Sequence, residues 1–309
     1  MKIKKLFVGL VALSAAVMAT ACSSNSSSSG KGNSDPKELN FEFVPSVQVN
    51  KVDSKTKPLQ EALQKELGIP VHVTATTNYD GLLTAMQSKK VDAGFMPPDA
   101  YVLAHKKGIA DVLLQAERYG YDEPSGVQNK TLMHAYRAGI YVKKGSQIKS
   151  WKDLKGTKIA VQAPTSSSGY VFPIVELYQK GLNALKDCKV TQINGADQAI
   201  ISVANGDVDA AFTFADARPI AAKDDPKIMK EVVPIYFTKW IPNDTISVRK
   251  GLSKSFKKKL ATAFKKMAKT KKGQEIIENI DQHYGYVDAK DSDFNTIRQY
   301  QKELNAIQK

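Results

Sequence analysis

Thr165, Ser166, Ser167, Ser168 and Gly169 form an unbroken run of four hydroxyl residues and a glycine. They lie between "KIAV", which reads as a buried strand, and "YVFPIVELYQK", which reads as a helix. The first turn of a helix leaves backbone N–H groups without intrahelical acceptors, and the helix dipole favours negative charge there. Serine hydroxyls add short, rotatable donors, and glycine allows close backbone approach. The chemistry such a turn supports is reversible capture of an oxyanion, with no cation in the turn to slow release. The same residues would also serve as a helix cap with spare serines in a loop, and the run alone does not choose.

Other chemistries find less support. His72, His105, His134 and His283 make no HxxH or HExxH spacing, and Cys22 and Cys188 make no ligand pair, so neither a metal site nor a cofactor is expected. The serine run is not a Gly-x-Ser-x-Gly elbow, and no histidine has a local partner, so the chain does not read as an enzyme. The net charge of +14 is spread along the chain, with one dense patch at "KSFKKKLATAFKKMAKTKKG". Phe256, Leu260, Phe264 and Met267 recur there at helical spacing, which predicts an amphipathic helix with a solvated basic face near an anionic cell surface. Nucleic acid is not an expected partner.

The elements around the serine run alternate. Strand patterns at "LNFEFVP", "IPVHVTATT" and "VDAGFMPP" are interleaved with helix patterns at "KTKPLQEALQKELG", "YDGLLTAMQSKK" and "DAYVLAHKKG". The alternation restarts at "AGIYVKKGS" and continues through "SWKDLKG", "TKIAVQAP", "CKVTQIN", "ADQAIISVANG" and "VDAAFTF". This argues for α/β layers around largely parallel sheets. "LLTAMQSKKVDAGF" and "IISVANGDVDAAF" are near-repeats, which suggests two lobes of similar build. A cleft between such lobes, at the carboxyl ends of the strands, is where a small ligand would bind.

Residues 1–21 read as a secretory signal peptide: Lys2, Lys4 and Lys5, an apolar stretch from Leu6 to Met18, then Ala19-Thr20-Ala21. The small residues before Cys22 resemble a bacterial lipobox, which implies that Cys22 is the lipid-modified first residue of the mature protein. Ala19 stands where leucine is usual. Residues 22–37, with "SSNSSSSGKGNSDP", lack large apolar side chains and read as a flexible tether.

The body resembles the solute-binding proteins of bacterial phosphonate/phosphite-type ABC transporters. The resemblance is carried by the order and spacing of "FVPS", "KPLQEALQKELG", "TNYDGLLTAMQSKKVDAGFMPPDAYVLA", "IKSWKDLKGTKIAV", "PTSSSGY", "ISVANGDVDAA" and "IPNDTISVRKGL". It implies a two-lobed type II periplasmic-binding fold, each lobe a mostly parallel sheet flanked by helices. Lobe 1 would take residues 38–140 and 247–309, and lobe 2 residues 141–246. The crossings would lie near Arg137 to Val142 and Asn243 to Val248. Such a protein captures a phosphonate- or phosphite-like oxyanion and delivers it to a permease driven by a cytoplasmic ATPase.

The resemblance also assigns residues. Ser166, Ser167, Ser168 and Gly169 match the Ser-Thr-Ser-Gly turn that grips the oxyanion. Tyr79 matches a tyrosine at a helix start, and a core position suits it almost as well. Asp99 and Tyr101, with Pro98, match a turn bordering the site, although small residues are commoner than aspartate there. Tyr136 precedes the crossing and also suits the core. Asp197 and Gln198 stand where the family commonly has His-Asp. Asp197 could accept a hydrogen bond from a protonated P–OH, join Asp216 in receiving an ammonium group, or cap a helix. These departures keep a non-phosphorus solute open, a sulfonate or a cationic heterocycle, and a lipid-anchored adhesin or receptor also fits the fold.

Overall fold

The computed structural model describes residues 35–44, 53–123 and 125–309. The signal peptide, Cys22, most of the tether and Pro45-Ser46 lie outside the described residues. In chain order, β1 (Leu39–Phe43) is followed by α1 (Asp53–Leu67), β2 (Val71–Ala75), α2 (Tyr79–Gln87), β3 (Ala93–Met96), α3 (Pro98–Lys106), β4 (Ala110–Asp122) and β5 (Val127–Met133). Next come β6 (Ala135–Lys143), a 3-10 turn (Trp151–Leu154), β7 (Lys158–Val161), a π-type turn (Ser167–Val171) and α4 (Phe172–Gln179). They lead to α5 (Ala184–Asp187), β8 (Lys189–Gln192), α6 (Ala196–Asn205), β9 (Ala210–Phe214), α7 (Ala217–Ala221), α8 (Ile228–Glu231) and β10 (Val232–Pro242). Then follow β11 (Thr245–Arg249), α9 (Lys254–Met267), α10 (Lys271–Asp281), β12 (Gly285–Asp288), a 3-10 turn (Asp291–Phe294) and α11 (Asn295–Ile307).

Two sheets result. The first runs β12-β4-β11-β3-β1-β2, with β5 paired to β4, and the second runs β10-β6-β9-β7-β8. The near-repeat has a structural counterpart. In the first sheet β1 lies parallel between β2 and β3, and β3 meets β11 antiparallel. In the second, β7 lies parallel between β8 and β9, and β9 meets β6 antiparallel. The repeated Val-Asp-Ala stretch therefore leads into the same sheet position twice, as β3 and as β9.

Local sequence explains the elements. Leu39, Phe41 and Phe43 alternate inward along β1 and are fully buried. Phe41 and Phe95 meet edge to face at 4.9 Å, with Phe264 of α9 packed on both. The basic helix buries Phe256, Leu260, Phe264 and Met267, as its periodicity predicts, and Ser253 caps its start. Ser150 and Asp153 form a capping box at the 3-10 turn. The β4–β5 hairpin is not anticipated from the sequence: the β5 strand alternates weakly and is exposed or half-buried along its length.

The chain passes from the first sheet to the second between β5 and β6, and returns between β10 and β11. By Ala135 it is already in the second sheet, slightly ahead of the crossing read from sequence. The two passing segments are tied to each other. Asn243 N–H donates to His134 O at 2.8 Å and its side-chain amide to Met133 O at 2.7 Å. The helix α11 touches both lobes. Tyr300 stacks on Phe172 of α4 at 4.0 Å, while Gln301 donates to the Asp99 carbonyl of α3 at 2.8 Å.

Candidate functional site

Four helices begin at one cavity of about 260 Å³. Thr76 to Tyr79 line it where α2 starts, and Met96 and Pro97 where α3 starts. From the second lobe, Ser166 and Ser168 line it at the π-type turn leading into α4, and Asn194 and Gly195 where α6 starts. The starts of α2, the serine turn and α6 present N–H groups without intrahelical acceptors at the positive end of a helix dipole. The helix α3 instead opens on Pro97 and Pro98, which have no N–H, and its Asp99 N–H goes to Ser167 Oγ. Convergence of these three starts, one from the first lobe and two from the second, makes the cavity an anion receptor built largely from backbone.

The serine turn is locally fixed. Ser166 Oγ donates to Gln162 Oε1 at 3.0 Å and accepts the Gly169 N–H at 3.2 Å. A Cβ on Gly169 would meet Gln162 Cγ at 2.5 Å, so glycine lets the turn fold against that side chain. Tyr136 has its hydroxyl within hydrogen-bonding reach of Ser168, and burial first, then Asp244, hold it well above the usual phenol range. Tyr79 is likewise held well above that range by burial, with Asp244, Asp281 and Tyr136 adding to it. Both phenols therefore stay protonated donors at neutral pH.

Among the described lining residues the cation is Arg118, from β4. It is buried, with its guanidinium 5.0 Å over the Phe214 ring. Arg118 Nη2 lies 3.5 Å from Asp216 Oδ2 and 3.3 Å from Gln282 Oε1. Burial opposes its charge, but Asp216, Asp244 and Asp281 outweigh burial and hold its pKa above the usual value. Two carboxylates, Asp244 and Asp281, also line the cavity. With His283 they bring three metal-type donor atoms within 4.8 Å of one another.

The residues singled out from sequence separate into groups. Tyr79, Ser166 and Ser168 line the cavity, and Gly169 supports it. Ser167 turns away: its Oγ accepts the Asp99 N–H at 3.3 Å. Asp99 is buried behind the turn, accepting from the Gln301 side chain at 3.1 Å, and burial raises its carboxyl to about 7. Tyr101 is a core residue whose hydroxyl donates to Asp291 at 2.7 Å. Asp197 and Asp216 line a separate, larger cavity of about 600 Å³, with Gln128, Glu278 and Tyr284. Gly195, at φ +90, occupies the cap position of α6, and Asp197 follows inside the first turn. Asp197 is 1% exposed, and its Oδ1 has no hydrogen-bond partner.

Sequence reasoning missed Arg118, Gln162, Asn194, Asp244 and Asp281. Of these only Asn194 and Gln162 carried a usable signal, because each lies where a strand gives way to a helix on the second lobe.

A family model described as "ABC transporter, phosphonate, periplasmic substrate-binding protein" matches residues 41–294. The phosphate-import protein PhnD of Mycolicibacterium smegmatis is 27% identical over 217 residues, which covers 67% of this chain and 64% of that protein. The chain thus spans just under two thirds of that relative. The phosphonates-binding periplasmic protein of Escherichia coli is 25% identical over 248 residues, covering 79% of this chain and 70% of that protein. A solved structure of PhnD1 from Prochlorococcus marinus in complex with methylphosphonate matches with a TM-score of 0.72 at 20% identity, covering 88% of this chain and 99% of that one. That likeness shows the type II periplasmic-binding fold, with two α/β lobes built on separate sheets.

Proposed function

This chain belongs to the periplasmic substrate-binding family of phosphonate ABC transporters, and on that footing we propose that its cleft captures a phosphorus oxyanion for delivery to a membrane permease. The observation that carries the reading is the meeting of these three helix starts at one cavity, with Ser166, Ser168, Tyr79, Tyr136 and Arg118 on its wall. Relatives named for phosphate and for phosphonates share one ligand feature, a tetrahedral phosphorus bearing several oxygens. Neutral donors on several sides suit that group, and the buried Arg118 suits its charge.

The permease is expected to be coupled to a cytoplasmic ATPase. Closure of the lobes on the ligand is the signal the permease would read, since a bound ligand shifts the equilibrium only by preferring the closed form. Anchoring through a lipidated Cys22 is part of the same proposal, supported by the lipobox-like residues before it and the tether after it. Among the described residues no helix is long and apolar enough to cross a membrane.

Calorimetric titration with methylphosphonate, 2-aminoethylphosphonate, phosphite, phosphate and taurine tests the reading. Saturable binding of a phosphorus oxyanion, weakened at least tenfold in Ser168→Ala, is the expected result. Binding of taurine alone would overturn it.

A further inference from the structure

Asp244 and Asp281 pose a problem for an oxyanion cavity. Two carboxylates on its wall repel the ligand unless a cation stands between them. Arg118 is one cation shared among three carboxylates, since Asp216 lies 3.5 Å from its Nη2 and Asp244 and Asp281 also act on it. We propose that Asp244, Asp281 and His283 hold a divalent transition-metal ion, zinc being the representative case, and that a ligand oxygen completes its coordination. The last clause rests on the oxyanion reading above.

The histidine carries the argument. His283 is fully buried, and its Nε2 has no hydrogen-bond partner. Its other nitrogen, Nδ1, lies 3.1 Å from the Tyr286 hydroxyl. An Nδ1–H donated to that oxygen leaves the Nε2 lone pair directed at the carboxylates. This is the arrangement in which metal-binding histidines are oriented, the second nitrogen being held by a hydrogen bond. Phe95 and Tyr286 pack edge-on against the ring at 5.0 and 5.5 Å and fix its plane.

Distances separate a metal from a ligand ammonium. His283 Nε2 is 3.8 Å from Asp244 Oδ2 and 3.7 Å from Asp281 Oδ2. Both are too long for a hydrogen bond. Donors about 2.1 Å from a tetrahedral ion stand about 3.4 Å apart. Acceptors about 2.8 Å from an ammonium nitrogen stand about 4.6 Å apart. The two histidine–carboxylate spacings lie nearer the metal value. Asp281 also closes α10, an eleven-residue helix whose C-terminal dipole end favours a cation. Two carboxylates and an imidazole suit zinc or manganese, and three protein donors leave a position for an exogenous oxygen.

The test uses the full-length mature protein after exhaustive dialysis against a chelator. Zinc is titrated calorimetrically with and without saturating methylphosphonate, and methylphosphonate with and without zinc. The expected result is one zinc per chain and at least tenfold tighter methylphosphonate binding with zinc, with the reciprocal gain for zinc. In Asp244→Asn both gains fall at least tenfold. His283→Gln is the second variant, with its melting curve recorded to separate loss of fold from loss of metal. Equal zinc affinity in wild type and Asp244→Asn, or zinc binding that leaves methylphosphonate unchanged, overturns the proposal. So does a chelated protein that prefers 2-aminoethylphosphonate over methylphosphonate tenfold, because the carboxylates then serve an ammonium. Methylphosphonate that never binds, beside an Asp244-dependent zinc equivalent, marks failure of the oxyanion reading rather than of the metal donors.

Discussion

The backbone N–H of Asp99 donates to Ser167 Oγ at 3.3 Å, joining the start of α3 on one lobe to the serine turn on the other. The middle serine thus links the lobes, while its neighbours Ser166 and Ser168 face the cavity. Ser168→Ala is expected to weaken oxyanion binding tenfold or more, since a hydrogen bond to a charged group contributes about 1.5–3 kcal/mol. Ser167→Ala should cost less affinity, nearer a neutral bond of about 1 kcal/mol, and shift scattering profiles of the liganded protein toward a more open form. Equal losses in the two variants would contradict this division.

Asp99 gives a pH dependence. Burial raises its folded-state carboxyl to about 7, far above its ordinary value of 3.8. The folded state therefore holds that proton more tightly than the unfolded state. The stabilisation is complete below about pH 4 and disappears as pH rises through about 7. Asp99→Asn removes the term, so the variant should gain melting temperature relative to wild type between pH 5 and 8. Melting curves at four pH values in that range check it, and parallel profiles would exclude it.

Arg118 and Asp216 form a buried pair, with side chains 8% and 2% exposed. Arg118→Met leaves Asp216 with Gln128 as its remaining partner at 3.1 Å. Loss of one partner of a buried pair costs about 3–5 kcal/mol, so urea denaturation should show a lower midpoint. Adding Asp216→Asn should restore much of the stability. Oxyanion affinity should stay low in both, because the cation at the cavity is missing. Recovered binding in the double variant would remove Arg118 from the site.

Glu176, in α4, accepts from the Tyr236 hydroxyl at 2.5 Å, the Tyr300 hydroxyl at 3.0 Å and the Lys239 N–H at 2.8 Å. Three donors satisfy a buried carboxylate without a salt bridge. Glu176→Gln keeps an oxygen for the Lys239 N–H and the Tyr300 hydroxyl, while its amide N–H faces the Tyr236 hydroxyl, which must turn from donor to acceptor, and all three bonds lose their charge assistance. We expect a loss of about 1–3 kcal/mol, comparable to the loss of about 1.5–3 kcal/mol for Tyr300→Phe, both read by chemical denaturation.

The sequence was most informative where a signal is local. The serine run could be read because its donors, its glycine and the helix it opens are neighbours in the chain. The α/β alternation and the near-repeat were legible for the same reason, and each marks a place in its own sheet. Arg118, Asp244, Asp281 and His283 meet only after β4, β11 and the end of α10 have been brought together. Nothing adjacent to Arg118 in "QAERYGYD" distinguishes it from a surface arginine on a strand. Asp99 shows the opposite error. Its place in a motif suggested a ligand contact, while its burial against Ser167 and Gln301 depends on α11, far along the chain.

The crossing segments alone would leave the lobes joined like two covers on one spine. The helix α11 adds a third attachment, through Tyr300 to α4 and Gln301 to α3. Any widening of the cleft must loosen one of those attachments or carry the helix along with one lobe. Part of the work of opening is therefore done outside the cavity, and ligand affinity includes that work. The strength of capture can then be adjusted by evolution at residues that never meet the ligand, leaving the choice of ligand intact.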